Sequence, residues 1–444
     1  MIPIISSKEK EKLIALRRKL SIQEGLVTKT SSHLTEKVFG EPLSPIEVVR
    51  TILQDVKENK DEGVFKYNKA LDGNHLFGMD LLVSKDEIKK AYTAVDPFFI
   101  KAIKKAYKNI EAYQKKIKYQ SPKTIKNQGL SILLKITAIE KIGVYIPGGA
   151  ALYPSSILMN VVPAKVAGVQ SVTMVTPPSK EGKIDNHLLV AADICGVDTI
   201  YKVGGVQALA ALAFGTETID PVYKIVGPGN LFVALAKKEL YGYVDIDMVA
   251  GPSEILIIAD DTANPEFLAY DLMAQAEHYP GSALLLTTSK KLALKVQEAI
   301  EKNIVSLERE DKIREDLKLY SYIVVTENEQ ENIELCNEMA PEHLEIIVKN
   351  SAALAKKIKN AGAIFLGNYT PVALGDYFAG PSHTLPTSGT AKFFSGVNVN
   401  DFLKTTAIIE SNKKYLNQNS ALIESIAKVE GLVAHKASLK IRKK

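Results

Sequence analysis

Two polar side chains stand three residues apart where a predicted helix meets a predicted strand. The stretch LMAQAEHYPGSALLLTT spans residues 272–288, and its Pro280-Gly281 pair is expected to end the helix before an apolar run typical of a buried strand. Gln275 and His278 can be presented by one helix face, because residues three apart are neighbours there. An amide and an imidazole side by side at the mouth of a sheet raise the question of what they bind.

Further residues with metal-binding side chains lie in the second half of the chain. Four histidines occur in runs dense in polar groups: QAEH (275–278), PEH (341–343), GDYFAGPSH (375–383) and EGLVAH (430–435). Nitrogen and oxygen donors from these runs suit a divalent metal, zinc being a natural choice, and the candidate ligands are Gln275, His278, Asp376 and His435. Their spacing matches neither a His-Glu-x-x-His motif nor a cysteine site, so ordinary surface or core positions remain the alternative.

Glu342 and His343 are the candidates for proton transfer. They follow Pro341, which is expected to begin a helical turn and to leave Glu342 in its first turn, where the helix dipole favours a carboxylate. A carboxylate adjacent to an imidazole could supply two separate proton acceptors. The alternative is an exposed capping Glu342 beside a packed His343, and the residues alone favour that alternative.

Three glycine-containing turns could approach a phosphate group. The runs GVYIPGG, KVGGVQALAALAFG and KIVGPGNLFVALAKK each place glycines between a predicted strand and a predicted helix, where the backbone can contact a phosphate at the helix N-terminus. None completes the pattern Gly-x-Gly-x-x-Gly, because Phe232 occupies the third position after Gly227 and Gly229. Ordinary turn chemistry is the alternative to a dinucleotide site, and it is favoured at this level.

The hydrophobic pattern predicts two α/β blocks that position these residues. From residue 140 onward, short β-rich runs alternate with helical patterns, which is typical of parallel βαβ units. The segment from 44 to 118 is mostly helical, and the tail from about 398 resembles a separate small helical unit. We predict two α/β domains, the first interrupted by the second, with terminal appendages.

Length and composition exclude several classes of protein. A chain of 444 residues with 46% hydrophobic and 24% charged residues is typical of a globular protein with two or more domains, and not of a disordered or fibrous one. The net charge of +5 is small, and solvated helix faces explain the lysine-rich runs at 8–20 and 436–444 better than nucleic-acid binding. Because Cys195 and Cys336 cannot form a disulfide framework, and neither a signal peptide nor a membrane helix of roughly 18 apolar residues is evident, we expect a cytoplasmic protein.

Taken together, these runs resemble the histidinol dehydrogenase family over nearly the whole chain. The runs that carry the resemblance are GVYIPGG, GGVQALAALAFGT, KIVGPGN, DMVAGPSEILIIAD, DLMAQAEH, APEHLEI, GAIFLGNYTPVALGDYFAGPSHTLPTSGTAKF and EGLVAH. The resemblance implies an α/β fold with two incomplete Rossmann-like domains, one inserted in the other. The implied parts are an N-terminal helical arm (1–40), a discontinuous domain with the metal and catalytic residues (41–144 and 253–397), an inserted NAD-binding domain (145–252) and a C-terminal helical domain (398–444).

The resemblance also implies a reaction. The family oxidises L-histidinol to L-histidine, the end of histidine biosynthesis, through a retained aldehyde and with two NAD⁺. One zinc ion per subunit would be held by Gln275, His278, Asp376 and His435 and would bind the imidazole and amino nitrogens of the substrate. His343 would take the hydroxyl proton as the first hydride leaves, and Glu342 would activate the water that attacks the aldehyde, with His343 again the base.

Further contacts follow from the same resemblance. The substrate would be touched by Ser253, His383 and Glu430, in addition to His343 and the zinc ligands, and NAD by Tyr145, Gln207 and Asn230. The family forms homodimers in which the C-terminal segment crosses to the partner, so that Glu430 and His435 would complete the site of the other subunit. No nucleic-acid or membrane partner is expected.

Three positions depart from the family pattern and keep alternatives open. Tyr279 and Gly281 follow the QAEH run where we expect a small or acidic residue and a less flexible one, and Ser382 stands where the family usually has Asn. A dehydrogenase of another amino alcohol is therefore the nearest alternative. A zinc hydrolase with Glu342 as its base, and an inactive nucleotide-binding or assembly protein, are alternatives of other classes.

Overall fold

The computed structural model describes residues 1–19, 36, 38–148, 152–278 and 280–443. Most of the predicted Ser/Thr-rich link of the N-terminal arm, and Tyr279, lie outside these residues. In chain order the elements are β1 (Ile4–Ser6), α1 (Lys10–Lys19), α2 (Pro45–Tyr67), α3 (Lys85–Ala94), α4 (Pro97–Ile117), β2 (Ile125–Asn127), β3 (Leu130–Ala138), β4 (Lys141–Tyr145), α5 (Pro154–Ala167), β5 (Ser171–Thr176), α6 (Asn186–Cys195), β6 (Thr199–Lys202), α7 (Gly205–Phe214), β7 (Lys224–Val226), α8 (Leu231–Leu240), β8 (Asp245–Ile246), β9 (Glu254–Ala259), α9 (Pro265–Ala276), β10 (Ser282–Thr287), α10 (Lys290–Asn303), α11 (Glu310–Leu319), β11 (Tyr322–Val325), α12 (Glu329–Met339), β12 (His343–Ile347), α13 (Ser351–Ala355), β13 (Ala363–Leu366), α14 (Val372–Leu374), β14 (Leu403–Ser411), α15 (Lys413–Val429) and α16 (Val433–Ile441).

The first sheet is parallel and has the strand order β6-β5-β4-β7-β8. The chain starts in the middle at β4, proceeds outward through β5 and β6, and then crosses to β7 on the other side. This strand order is typical of a doubly wound fold, in which the direction of winding reverses at a topological switch point, here between β4 and β7. The second sheet repeats the order as β11-β10-β9-β12-β13, also parallel, with its switch point between β9 and β12. The predicted α/β class with Rossmann-like sheets is confirmed.

Both sheets are buried on their two faces. In β9 the side chains of Ile255 and Ile257 pack into one hydrophobic cluster, and those of Leu256 and Ile258 pack into another on the opposite face. Successive residues of a strand point to opposite faces, so a sheet covered by helices on both sides needs apolar residues at every position. The continuous apolar run EILIIA meets that need.

The helices of residues 45–117 belong with the first sheet in space. α2 packs on α7 and α8, α3 on α6, and α4 on α5. Their apolar residues, such as Val49 and Ile110, share clusters with the strands and helices of residues 142–248. This grouping differs from the predicted boundaries, which placed 41–144 with residues 253–397. The sequence could not show this grouping, because both sheets need helices on their faces and the helical pattern of 45–117 does not indicate which sheet these helices cover.

Both termini contain strands that the helical pattern did not predict. β1 extends the second sheet at its edge, pairing Ile4 with Ile323 beside β11. In the predicted helical tail, β14 pairs antiparallel with β3 along its full length, from Leu403 opposite Ala138 to Ser411 opposite Leu130, and β2 pairs with β3 on the other side. The tail prediction was wrong here, because the β-branched run Thr-Thr-Ala-Ile-Ile finds its partner far away in sequence.

The C-terminal helices α15 and α16 follow strand β14. α15 packs on α16, and Lys443 forms an ion pair with Glu424. Many of their large apolar side chains are exposed, including Ile426, Val429 and Val433. Across the described ranges, no helix is long and apolar enough to cross a membrane.

Candidate active site

Glu342 and His343 lie where α12 turns into the central strand β12. α12 ends at Met339, and Ala340 adopts a left-handed conformation with φ 48° and ψ 62°, its N–H donating to the Cys336 carbonyl. The chain therefore reverses direction, and Pro341 leads into a strand. The predicted helical turn at Pro341 is wrong, as is the exposed capping role for Glu342, which is 6% exposed. Nothing local in the sequence signals that Ala340 has a positive φ, which is uncommon for a residue with a side chain.

The Glu342 carboxylate is held by two donors. Its Oε2 accepts hydrogen bonds from Ser253 Oγ at 2.6 Å and from the Glu254 N–H at 2.9 Å. Burial raises the pKa of Glu342, while the charge of His343 and these two hydrogen bonds oppose the rise. Ser253, predicted as a substrate contact, is thus an orienting partner of Glu342 in this structure.

His343 lies between two carboxylates. Its Nδ1 is 3.2 Å from the Glu254 carbonyl oxygen and 3.5 Å from Glu342 Oε2, and its Nε2 is 3.5 Å from Asp376 Oδ1. Burial lowers the pKa of His343, but the Glu342 and Asp376 carboxylates outweigh it and raise the pKa to about 9. The Nε2 atom is buried and has no hydrogen-bond partner within the described part of the chain. An imidazole so placed is poised to exchange a proton with a group that enters the site.

Asp376 is carried by a tight turn that packs on β13. A π-helical turn, Gly375–Ala379, follows α14. A Cβ at residue 375 would lie 2.5 Å from a ring carbon of Phe365, so glycine allows the turn to approach the ring. Burial raises the pKa of Asp376, but the close contact and the charge of His343 lower that pKa by a larger amount, with smaller contributions from His383 and His278.

His383 joins this turn to the first sheet's domain. Its Nδ1 is 2.9 Å from the Asp376 carbonyl oxygen, and its Nε2 is 3.0 Å from Ser156 Oγ near the start of α5. Burial lowers the pKa of His383, opposed by Asp376. The departure at Ser382 has a structural role, because its buried Oγ accepts from the Thr384 N–H at 3.0 Å.

Gln275 and His278 lie at the end of α9, as predicted. Asn264 begins this helix by accepting from the Glu266 N–H, and Pro265 occupies the first turn. Gln275 is 4% exposed, and its Nε2 is buried without a hydrogen-bond partner among the described residues, whereas His278 is exposed and its N–H donates to the Gln275 carbonyl. The oxygen and nitrogen positions of an amide such as that of Gln275 are assigned from their hydrogen-bond partners, because the two atoms have the same shape.

Gly281 holds the far side of this turn. Its N–H donates to Asp316 Oδ2 at 2.7 Å, and a Cβ at residue 281 would lie 2.5 Å from the Gln275 carbonyl oxygen. Glycine therefore allows the chain to pass close behind Gln275. Burial raises the pKa of Asp316 to about 7, opposed by the Gly281 hydrogen bond.

Gln275, His278 and Asp376 line one cavity of about 870 Å³. Its other walls come from α4, from residues 152–155 after β4, and from residues 306–309. Since β9 and β12 begin at Glu254 and His343, the Glu342–His343 pair lies at the amino edge of the second sheet. Residues 152–155 lie at the carboxyl edge of the first sheet, so the cavity lies between the two.

The predicted NAD contacts lie at the carboxyl edge of the first sheet. Tyr145 ends β4, and its hydroxyl accepts from the Gly205 N–H at 3.3 Å. Gln207 is buried, with its Nε2 3.0 Å from Asp72 Oδ2, and its Oε1 has no partner among the described residues. Asn230 caps α8 by accepting from the Val233 N–H, directly after the turn that follows β7. The carboxyl edge at a switch point is where open α/β sheets bind ligands.

Glu430 and His435 do not join the cluster within one chain. Both are exposed, and the cavity lining includes no residue of α15 or α16 among those the structure describes. Likewise, no group of three or more His, Cys, Asp or Glu side chains in the described ranges is arranged to hold a metal ion. Of the four predicted ligands, the chain brings together Gln275, His278 and Asp376.

Sequence reasoning missed three contributors to the site. Ser156 and the Glu254 backbone orient His383 and Glu342 through hydrogen bonds, and Asp316 holds Gly281 behind Gln275. No motif marks them, since each is recognised only by its distance to its partner in the folded chain. A charged residue inside an apolar strand, such as Glu345 in β12, was the available signal that further polar contacts are buried here.

A doubly wound α/β scaffold, and a buried carboxylate–imidazole pair that contacts Asp376 at the wall of a cavity between two sheets, define this protein as an α/β enzyme. A family model described as histidinol dehydrogenase matches residues 42–443. Histidinol dehydrogenase from Clostridium acetobutylicum is 49% identical over 424 residues, covering 95% of this chain and 98% of that protein, and the one from Listeria monocytogenes serovar 1/2a is 47% identical over 423 residues, covering 94% and 98%. The chain belongs to the histidinol dehydrogenase family and is an oxidoreductase, which confirms the predicted resemblance.

The fold agrees with this assignment. The crystal structure of histidinol dehydrogenase from Elizabethkingia anophelis is similar to this structure with a TM-score of 0.86 at 38% sequence identity, covering 93% of this chain and 95% of that one. The similarity therefore extends over most of the chain, including both α/β sheets.

Proposed function

We propose that this enzyme oxidises L-histidinol to L-histidine through L-histidinaldehyde, with two NAD⁺ and one zinc ion per subunit. The observation that carries the proposal is the buried Glu342–His343 pair beside Asp376, which lines a cavity together with Gln275 and His278. Two adjacent proton acceptors suit a reaction in which an alcohol and then a water molecule must each lose a proton.

The residues present fit a zinc ion in part. Gln275, His278 and Asp376 supply an amide, an imidazole and a carboxylate around one cavity, and the unpartnered amide of Gln275 is a polar group that a ligand would satisfy. The fourth donor would be His435 of the partner subunit. When bound, zinc supplies positive charge and fixed positions for the nitrogen atoms of the substrate.

In the first oxidation, His343 takes the proton of the substrate hydroxyl while the carbinol carbon gives a hydride to NAD⁺. Nε2 of His343, which has no ordinary hydrogen bond among the described residues, is the atom suited to this transfer, since Nδ1 faces the Glu254 carbonyl oxygen. The raised pKa of His343 makes the neutral imidazole a strong base once its own proton has left. Asp376 and Glu342 stabilise the imidazolium that results.

In the second oxidation, Glu342 removes a proton from water as the water adds to the aldehyde carbon. The protonated His343 gives the proton that it gained in the first oxidation to the aldehyde oxygen, which completes the hydrate and restores His343 as a base. Its raised pKa makes it a stronger base than an exposed carboxylate, and Ser253 and the Glu254 N–H keep it oriented. The hydrate then loses a second hydride to NAD⁺ and a proton to His343, which leaves L-histidine.

The NAD⁺ site is proposed at the switch point between β4 and β7. Tyr145, Gln207 and Asn230 contribute to one edge of that sheet, and the Asp72 carboxylate orients Gln207. A cofactor there lies on the side of the first sheet that also contributes residues 152–155 to the cavity. The missing third glycine of the fingerprint agrees with a cofactor bound at the edge in a non-standard way.

The proposed assembly is a homodimer that exchanges its C-terminal helices. α15 and α16 expose apolar side chains that a partner would bury, and Glu430 and His435 on these helices are exposed. Glu430 would contact the substrate held by the other subunit, and His435 would reach that subunit's metal.

The test is the amount of NADH formed per L-histidinol consumed by the purified enzyme, with and without a zinc chelator. We expect a ratio of two that is lost on chelation and restored by zinc but not by magnesium. A ratio of one would indicate that the aldehyde is released, and no NADH from histidinol would direct the search to other amino alcohols.

A further inference from the structure

Glu345 is a carboxylic acid inside the central strand of the second sheet. It is 1% exposed and lies between β9 and β13, paired with Ile257 and Phe365. Residues two apart in a strand face the same side, so Glu345 and His343 point to one face of β12. A buried acid at such a position needs polar partners, because isolated burial of a carboxylate is costly.

Glu345 has partners on two further segments. Its Oε1 accepts from the Val372 N–H at 3.2 Å, at the start of α14, which leads to Asp376. Its Oε2 is buried and receives no hydrogen bond from a conventional donor in the described part of the chain, while the Asp271 carboxyl group lies within hydrogen-bonding reach. Two carboxyl groups at this separation bind each other only if one of them carries a proton.

Asp271 lies one helical turn before Gln275 on α9 and lines the same cavity. Residues four apart on a helix are neighbours, so Asp271 and Gln275 are presented on one side of α9. Burial raises the pKa of Asp271 to about 6 and raises that of Glu345 well above its ordinary value. At neutral pH a single proton on Glu345, donated to the Asp271 carboxylate, satisfies both groups.

We propose that Asp271 and Glu345 share one proton, and that this acid–carboxylate pair positions the active site. The pair holds α9, with Gln275 and His278, against β12. Through the Val372 N–H, Glu345 also fixes the turn that presents Asp376. Glu345 is thus a positioning residue at the junction of the three segments that carry the proposed zinc ligands and His343. The expected effect on zinc binding rests on the proposed function, whereas the hydrogen bond between Asp271 and Glu345 does not.

The test is a zinc titration against a competing chelator for the wild type and four variants. Glu345→Ala and Asp271→Ala should each weaken zinc binding about tenfold or more, as loss of an outer-shell partner does. Their effects should not add in the double variant, because either change alone breaks the same contact. Glu345→Gln should restore zinc affinity to within about threefold of wild type, because its amide donates to Asp271 and accepts from Val372.

A matched control removes a buried hydrogen bond elsewhere in the same domain. Asn332 is 4% exposed, and its Oδ1 accepts from Thr326 Oγ1 at 2.7 Å. Asn332→Ala should lower the melting temperature and leave zinc affinity unchanged. Equal loss of zinc affinity in this control would show that general destabilisation explains the result, and would overturn the positioning role.

Two further outcomes decide the proposal. If Glu345→Gln binds zinc as poorly as Glu345→Ala, or if the Ala substitutions add, the shared proton is refuted. If the wild type binds no zinc, the proposed function fails, and the pair is then judged by unfolding. Non-additive losses of stability in the double variant, together with an infrared carboxylic acid band that disappears in Glu345→Gln, would still support the pair, and additive losses without that band would overturn it.

Discussion

The exchange of C-terminal helices makes a quantitative prediction for mixed dimers. His343 is buried beside Asp376, which lines the cavity, whereas His435 is exposed on α16 and is not among the described cavity-lining residues. If each site combines His343 of one subunit with His435 of the other, the substitutions His343→Asn and His435→Asn inactivate different halves of a site. Each variant alone should be inactive as a homodimer.

Mixing the two variants should restore activity. After reversible unfolding and refolding of an equal mixture, about half of the dimers contain one subunit of each kind, because identical interfaces pair at random. In such a dimer the His435→Asn subunit keeps its own His343 and receives an intact His435 from its partner, so one of the two sites is complete. The expected activity is about a quarter of wild type per subunit, since half of the sites in half of the dimers are restored.

The assay is NADH formation from L-histidinol, with zinc content measured on the same samples. Refolded wild type sets the full value, and each variant refolded alone sets the background. Activity of the mixture at background, although mixed dimers are isolated with two different affinity tags, would refute the exchange, because a site built within one chain is broken in both subunits of the mixed dimer.

The remaining predictions concern the base, the glycine turn and a buried acid. Glu342→Gln should keep zinc and fail mainly at aldehyde oxidation, as measured by NADH from L-histidinaldehyde; unchanged aldehyde turnover would remove Glu342 as the base for water. Gly281→Leu should weaken zinc binding about tenfold, because a Cβ would lie 2.5 Å from the Gln275 carbonyl oxygen and must displace the turn. A loss of this size is typical when a residue that supports a metal ligand is removed. Wild-type zinc affinity of the variant in a chelator titration would contradict this prediction. Asp316→Asn should become more stable than wild type as pH rises: the folded-state pKa of Asp316 is raised from 3.8 to about 7, so its favourable contribution is complete below about pH 4 and lost by about pH 7. The shift corresponds to at most about 4 kcal/mol in the free energy of unfolding, and we expect about 2 kcal/mol because nearby solvent weakens the effect. Urea unfolding would refute this prediction if the free energies of variant and wild type differed by the same amount at about pH 4 and about pH 8.

Local features of the site could be predicted from the sequence. The pairing of Gln275 with His278 follows from helical spacing, and the adjacency of Glu342 and His343 is covalent. Strand–helix alternation predicted the parallel sheets, because burial on both faces demands continuous apolar strands. The family was identifiable because its motifs are long and ordered.

The environment of those residues depended on contacts between distant segments. The left-handed Ala340 placed Glu342 and His343 at the start of a strand rather than in a helix, and its conformation is stabilised by the surrounding structure rather than by its own residue type. The antiparallel pairing of β14 with β3, and the packing of residues 45–117 on the first sheet, join surfaces whose complementarity a linear pattern does not encode.

The family, the fold class and the residues able to bind metal and move protons could be predicted from the sequence alone, because they depend on residue type and short-range spacing. The folded structure was needed to show that Ser253 orients Glu342, that His343 lies between two carboxylates, and that Glu345 is buried in the same strand as His343. Hydrogen bonds and pKa values depend on distance and burial, which exist only once the chain has folded.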